Sequence, residues 1–249
     1  MILWLLLVLS ALVHSAFAQG SAGELALYES QRIVDMPTAG VLPPGGFLLR
    51  LLMFEQGGML GETLWSPLSR VQVGIGYSGS RVIGSLPVEW QGVPAVQVRW
   101  RVVDETLTFP AVAIGLETLG RGNIIAHAFA TPAPGAFLAL SKQFRWALGG
   151  CAVHLGAGYS FDLRFNGRDM NAWVGLEQSL GRSAALSVEL NPQSVERDLP
   201  LLLNAVVRWS VLRGATLELY ARDMLVRTAP QPIRSIGVEF IALISQLVW

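Results

Sequence analysis

The sequence has little charge and almost no cysteine. Charged residues make up 14 % of the 249 residues, whereas an ordinary soluble domain has about 25 %. The 18 basic and 18 acidic side chains balance, so the chain has no excess of positive charge with which to attract nucleic acid. The single cysteine, Cys151, excludes an intrachain disulfide framework and a multi-cysteine metal site.

Signatures of catalysis and of cofactor binding are also missing from the sequence. The chain contains three histidines, and no two of them have the spacing of a metal-binding pair. No glycine-rich phosphate loop precedes a helical pattern, and no G-x-S-x-G motif occurs. We therefore expect a protein that is not an enzyme and that uses no metal or cofactor.

The N-terminus has the organisation of a signal peptide. Residues 1–18 read MILWLLLVLSALVHSAFA, an apolar stretch that ends in small residues, with Ala16 and Ala18 forming an A-x-A cleavage site. A retained membrane anchor is the alternative, but a spanning helix needs about 17–25 apolar residues. The apolar core from Leu5 to Val13 is shorter than that. No second apolar run of this kind follows residue 20, so an exported chain with no membrane helix is expected.

Beyond residue 20 the hydrophobic pattern has a period of two. Val96, Val98 and Trp100, for example, alternate with polar Gln97 and Arg99. This alternation is typical of a strand with one apolar and one polar face. About twelve stretches are assigned as strands: 45–54, 59–65, 70–78, 94–103, 108–118, 134–144, 151–162, 169–180, 184–191, 200–210, 214–223 and 233–248.

The connections between these strands alternate between short and long. Tight turns are expected at 66–69, 104–107, 145–150, 181–183 and 211–213. An even number of strands, with short turns at one end and longer loops at the other, is typical of outer-membrane barrels. We therefore predict an all-β fold, a transmembrane antiparallel up-and-down β-barrel of about 12 strands over residues 45–249. Residues 19–44 are expected to form a periplasmic segment, and the outer membrane of a Gram-negative-type bacterium is the expected location. A soluble periplasmic β protein that binds an apolar ligand is an alternative, in which the apolar faces would point inward.

In a membrane barrel the polar face of each strand lines the lumen. The residues expected there are Arg50, Gln97, Arg99, Arg101, Glu117, His154, Glu177, Glu189, Arg208, Glu218, Arg222 and Glu239. Because unpaired charges away from water are costly, these groups should pair across strands or lie in water. Two interpretations follow, a narrow mixed-charge pore and a salt-bridged plug without transport.

Aromatic residues lie near the expected strand ends, where a barrel crosses the two membrane interfaces. The interface residues predicted are Trp65, Tyr77, Trp100, Trp146, Tyr159, Trp209 and Trp249. The alternation that ends at Trp249 resembles the C-terminal signal read by the outer-membrane assembly machinery. That machinery and outer-membrane lipid are the expected partners.

Two segments resemble a known family. Residues 35–51, DMPTAGVLPPGGFLLRL, and 93–120, VPAVQVRWRVVDETLTFPAVAIGLETLG, are similar to the YjbH-type outer-membrane proteins associated with exopolysaccharide production. The resemblance covers about residues 35–160, and this chain has room for a single barrel. It implies an outer-membrane barrel that acts as a narrow pore or surface component in exopolysaccharide export, with polysaccharide or envelope export proteins as partners. A closed structural or assembly barrel without transport is the alternative.

Overall fold

The computed structural model describes residues 21–125, 128–161, 170–192, 201–225 and 232–243. In these ranges every regular element is a strand, apart from one 3-10 turn at Glu55–Gly57. No helix within them is long and apolar enough to span a membrane. The expected signal peptide, residues 1–18, lies outside the described residues.

The strands are numbered in chain order and are β1 Gly46–Phe54, β2 Gly58–Leu68, β3 Val71–Ser80, β4 Glu89–Trp90, β5 Ala95–Val103, β6 Ala111–Glu117, β7 Arg121–Ile125, β8 Ala128–Thr131, β9 Gly135–Trp146, β10 Gly149–Tyr159, β11 Met170–Leu180, β12 Ala184–Pro192, β13 Leu201–Leu212, β14 Ala215–Arg222 and β15 Ile233–Leu243.

Twelve of these strands form a closed antiparallel barrel. Around its wall the order is β1, β2, β3, β5, β6, β9, β10, β11, β12, β13, β14 and β15, and β15 pairs again with β1. Every barrel strand therefore lies beside the barrel strands that precede and follow it in the chain. This confirms the predicted all-β up-and-down barrel of about 12 strands.

The period-two pattern places polar side chains inside the barrel and apolar ones outside. On β5, Val96, Val98 and Trp100 are 45–51 % exposed, whereas Gln97 and Arg99 between them are buried at 4 % and 0 %. An apolar outer surface is what lipid requires. The alternative of a soluble barrel with an apolar interior predicts the opposite orientation.

The two ends of the barrel differ as the sequence pattern predicts. At one end, named here the tight-turn rim, the connections at 69–70, 147–148, 181–183 and 213–214 are short. The turn expected at 104–107 is longer, spanning 104–110, because β6 begins at Ala111 instead of 108. Pro110 precedes that start, and proline has no N–H to donate to a strand ladder. The opposite end, the loop rim, carries β4 and the β7–β8 hairpin.

Residues 21–45 form a hairpin inside the barrel, named here the plug hairpin. Its first arm begins at the tight-turn rim, where the Glu24 N–H donates to the Gly181 carbonyl at 3.1 Å. The chain reverses deep in the lumen, where the Ile33 N–H donates to the Met36 carbonyl at 2.9 Å.

The second arm returns to the same rim, where the Gly45 N–H donates to the Ser66 carbonyl at 2.8 Å before β1 begins. Residues 19–44 are predicted from the sequence to be a periplasmic segment before the barrel, whereas the described part of that segment, residues 21–44, lies in the lumen. The physical reason is that its polar and charged groups find their partners on the inner wall, which no local pattern reveals.

The outward position of Val98 makes a direct test of the barrel faces. Val98→Arg places a charge against lipid and is expected to cost about 2–4 kcal/mol if the site lies near the membrane midplane. Folding into lipid vesicles, measured by the heat-modifiable migration of the folded barrel on a gel, should fall, while the control Val98→Leu should fold normally. Normal folding of Val98→Arg would contradict the assignment of this face to lipid.

Candidate functional site

The apex of the plug hairpin, Arg32–Pro37, is held by charge and by backbone hydrogen bonds. Arg222 on β14 forms a bidentate pair with Asp35, with Nε at 2.8 Å from Oδ2 and a second guanidinium nitrogen at 2.8 Å from Oδ1. The Oε2 atom of Glu189 on β12 accepts the N–H groups of Val34, Asp35 and Met36 at 2.9–3.0 Å. Three successive N–H groups that converge on one carboxylate fix the backbone of the turn as well as its position.

Burial and charge act in opposite directions on the apex carboxyl. Burial by itself raises the pKa of Asp35, but the guanidinium of Arg222 and its hydrogen bonds keep that pKa below the ordinary value. Since the folded-state pKa is depressed, the pair stabilises the protein above the ordinary pKa of an aspartate and loses this contribution as the pH falls through the lowered value.

Arg32 is the central cation of the lumen. Its guanidinium lies 2.8 Å from Oε1 of Glu62 on β2 and also pairs with Glu117 on β6. Glu62 is shared, because its second oxygen lies 2.8 Å from Arg50 on β1. Arg50 also pairs with Glu239 on β15. One plug residue thus joins β2 and β6, and through Arg50 also β1 and β15.

The two arms of the plug hairpin are held by arginines that donate to main-chain carbonyls. Arg99 on β5 donates to the Gln31 carbonyl at 3.0 Å and to the Gly40 carbonyl at 2.6 Å, and so links both arms. On the opposite wall, Arg208 donates to the carbonyls of Arg32 and Ile33 at 2.9 and 2.7 Å.

An inward glycine provides the room for the apex. A Cβ atom at Gly175 on β11 would lie 2.4 Å from Cγ2 of Ile33. A larger side chain there would collide with the plug hairpin. The inner wall therefore complements the plug hairpin in shape as well as in charge.

A second hairpin, β7–β8, lies at the loop rim and contacts the lumen. Arg121 at the start of β7 lies 3.6 Å from Glu62 and 3.8 Å from Glu117, the same two carboxylates that Arg32 uses. Ile124 and Phe129 of the β7–β8 hairpin are buried in one apolar cluster with Ile33, Val34 and Met36 of the plug. Two hairpins therefore enter the lumen and meet on a shared pair of acids.

A cavity of about 660 Å³ lies between the plug arms and the wall formed by β9–β12. Tyr28 and Ser30 of the plug line it, together with His154 and Glu177 of the wall. His154 Nδ1 lies 2.8 Å from the hydroxyl of Ser141, and this is its only hydrogen bond among the described residues. No group of three or more His, Cys, Asp or Glu side chains in the described ranges is arranged to hold a metal ion.

Ten of the twelve side chains predicted for the lumen are buried there, namely Arg50, Gln97, Arg99, Glu117, His154, Glu189, Arg208, Glu218, Arg222 and Glu239. The other two, Arg101 and Glu177, are partly buried nearer the tight-turn rim. Arg101 pairs with Glu29 of the plug, and Glu177 lies 3.2 Å from Arg208. The structure brings all twelve to the inner surface.

The predicted interface aromatics lie on the outer surface near the strand ends, Trp65, Trp100, Trp146 and Trp209 toward the tight-turn rim and Tyr77 and Tyr159 toward the loop rim. Tyr77 stacks on Trp90 with ring centroids 5.8 Å apart. Trp249 lies outside the described residues. The role of these aromatic residues at the membrane interface stays a prediction.

Some charged residues of the lumen were not expected from the sequence, among them Arg32, Asp35, Glu62 and Arg121. Glu62 shares its inward face with buried Leu60 and Leu64, so β2 does not present a polar stripe that alternation would reveal. Arg32, Asp35 and Arg121 lie in segments that were assigned to the periplasm or to a loop. Only the tertiary fold brings them inside.

Comparison with known proteins identifies the fold. No family model matches the chain, and no curated protein matches it. Among solved structures it is similar to the KdgM porin in complex with disordered oligogalacturonate, with a TM-score of 0.51 at 9 % identity, covering 78 % of this chain and 98 % of that one. A second KdgM porin structure matches with a TM-score of 0.50 at 10 % identity, with the same coverage. At this identity the likeness shows a porin-like barrel fold and no more.

The Asp35–Arg222 pair tests how the plug is held. Asp35→Asn or Arg222→Gln alone leaves a buried charge without its partner, which is expected to cost about 3–5 kcal/mol. The double variant should lose less than the sum of the two, and denaturant unfolding in lipid vesicles measures all three. The exposed pair Arg70–Asp104 at the tight-turn rim is the matched control, with an expected coupling of about 0–1 kcal/mol. Additive losses at Asp35 and Arg222 would contradict the contact.

Proposed function

We propose that the chain is an outer-membrane pore protein whose lumen is closed at rest by its own plug hairpin. The observation that carries the proposal is the position of residues 21–45, whose charged side chains and main-chain groups bond to the inner wall on several sides. A freely open diffusion pore does not fit this arrangement. The outer membrane of a Gram-negative-type bacterium is the proposed location, and outer-membrane lipid and the assembly machinery are the proposed partners.

The way the plug is attached favours a gate over a permanent filling. Both arms of the hairpin reach the tight-turn rim, so the segment can leave through that rim without being threaded past a strand. Its deep contacts are made with wall side chains, such as Glu189, Arg99 and Arg208. Withdrawal therefore breaks no hydrogen bond of the barrel ladder, and water can hydrate the charges that it exposes. A closed structural or assembly barrel is the competing proposal, and it requires that the plug never leave.

An anionic oligosaccharide is the proposed solute. Plug withdrawal removes the partners of Arg222 and Arg99 on the wall, and these two guanidinium groups are the proposed contacts for an anionic solute, beside the carboxylates of Glu189, Glu62 and Glu117 that also lose plug partners. The similar KdgM structure contains oligogalacturonate, and the resemblance to YjbH-type proteins adds an association with exopolysaccharide. Block of a plug-deleted channel by oligogalacturonate, compared with a neutral oligosaccharide of equal length, tests this choice. Equal block by both would contradict it.

Loosening the plug should open the barrel. Arg99→Ala removes the donor that links both arms, and deletion of residues 23–40 removes the hairpin. In planar bilayers the wild-type protein should conduct little, Arg99→Ala should open more often, and the deletion should conduct steadily. The control Arg70→Ala, at the exposed rim, should behave like the wild type.

The two proposals differ in one outcome of this experiment. If the correctly folded deletion variant stays closed, the plug is not the gate. If the deletion variant conducts but the wild type and Arg99→Ala never open, the closed structural barrel is favoured instead.

A further inference from the structure

Three buried polar side chains lie together beside the returning arm of the plug hairpin. Gln72 on β3 and Arg99 on β5 are direct partners across the two strands. Gln97 lies two residues before Arg99 and so shares its inward face. Gln72 and Arg99 have no exposed surface, and Gln97 is 4 % exposed.

Arg99 differs from the other buried arginines of the described lumen. Arg32, Arg50, Arg121, Arg208 and Arg222 each lie within 4 Å of a carboxylate oxygen. Among the described residues, no carboxylate lies at that distance from Arg99. Its hydrogen bonds all come from one terminal nitrogen and end on oxygens of Gln31 and Gly40. The Nε and second terminal nitrogen of Arg99 have no partner in the described structure.

The neighbouring amides are oriented by their other contacts. Gln72 Oε1 accepts the Leu42 N–H at 3.0 Å, so Nε2 is its free end, and that atom has no described partner. Gln97 donates from Nε2 to Glu117 at 3.2 Å, which leaves its Oε1 free. Arg99 and Gln72, direct partners on two adjacent strands, therefore carry three nitrogen donors that have no described partner.

We propose that Arg99 and Gln72 bind a small monovalent anion of halide size, with chloride as the natural occupant. A buried guanidinium without a counter-charge is costly, and an anion accepts from all the free donors at once. A water molecule at this place would accept some of these hydrogen bonds but would not supply the counter-charge. The returning plug arm bonds to both wall residues, and Arg99 lies over the ring of Phe137 at 5.7 Å from its centroid, so we expect room for a small anion only.

The anion has a structural consequence that does not depend on whether the barrel conducts. Gln72 holds the plug arm at Leu42, and Arg99 holds it at Gly40. An anion between these two wall residues fixes both side chains against the returning arm. Halide therefore stabilises the closed arrangement of plug and wall.

The test is the thermal midpoint of heat-modifiable migration for the full chain folded in detergent. Sodium chloride and sodium bromide are compared with sodium gluconate, whose anion is too large for the site, at equal ionic strength. In halide the midpoint should rise saturably, by about 5–10 °C once the halide reaches about a hundred times its dissociation constant. Gln72→Leu and Arg99→Met should lose this halide-specific rise, and the rim control Arg70→Met should keep it.

Diffraction from wild-type crystals grown in bromide keeps the test independent of how the variants fold. An anomalous bromide peak between Arg99 and Gln72 supports the site. Water density without a peak, or an equal rise in gluconate and halide, overturns it. Because neither measurement records conductance, the anion site and the proposed gate can fail separately.

Discussion

The structure depends on the pairing of buried charge inside a closed barrel. Six arginines and a comparable set of acids are buried in the described lumen, and charges in such a place must be paired or hydrated. Wall residues pair among themselves only in part. The guanidinium of Arg222 pairs with the carboxylate of Asp35 in the plug. The carboxylate of Glu189 accepts hydrogen bonds from three plug N–H groups. The plug hairpin therefore completes the interior.

The same constraint connects the two ends of the barrel. Arg32 of the plug and Arg121 of the β7–β8 hairpin approach the same two acids, Glu62 and Glu117. Each arginine therefore shares the negative charge of both carboxylates with the other. Movement of the loop-rim hairpin should thus change how strongly the plug is held, through electrostatics and through their common apolar cluster.

The sequence predicts the wall well and the plug hardly at all. Strand alternation is a local property with a fixed period, so β5, with Val98 out and Arg99 in, is read directly from ten residues. The plug is decided by contacts over long separations, such as the 187 residues between Asp35 and Arg222. Residues 21–45 have no periodic pattern from which those partners could be predicted. Prediction from alternation also fails for Glu62 within a strand. Its inward neighbours Leu60 and Leu64 are apolar, so the sequence of β2 does not show that this face points into a polar lumen.

A cross-link between plug and wall would show whether the plug hairpin closes the lumen. Nδ2 of Asn171 on β11 lies 3.9 Å from Sδ of Met36 at the plug apex, which makes the pair Met36→Cys and Asn171→Cys suitable in a Cys151→Ser background. Oxidation is expected to join the two residues in the folded barrel and to abolish its rare openings, and a reductant is expected to restore them. Failure of the folded protein to form this cross-link, or steady conductance in the cross-linked protein, would contradict a lumen closed by the plug hairpin.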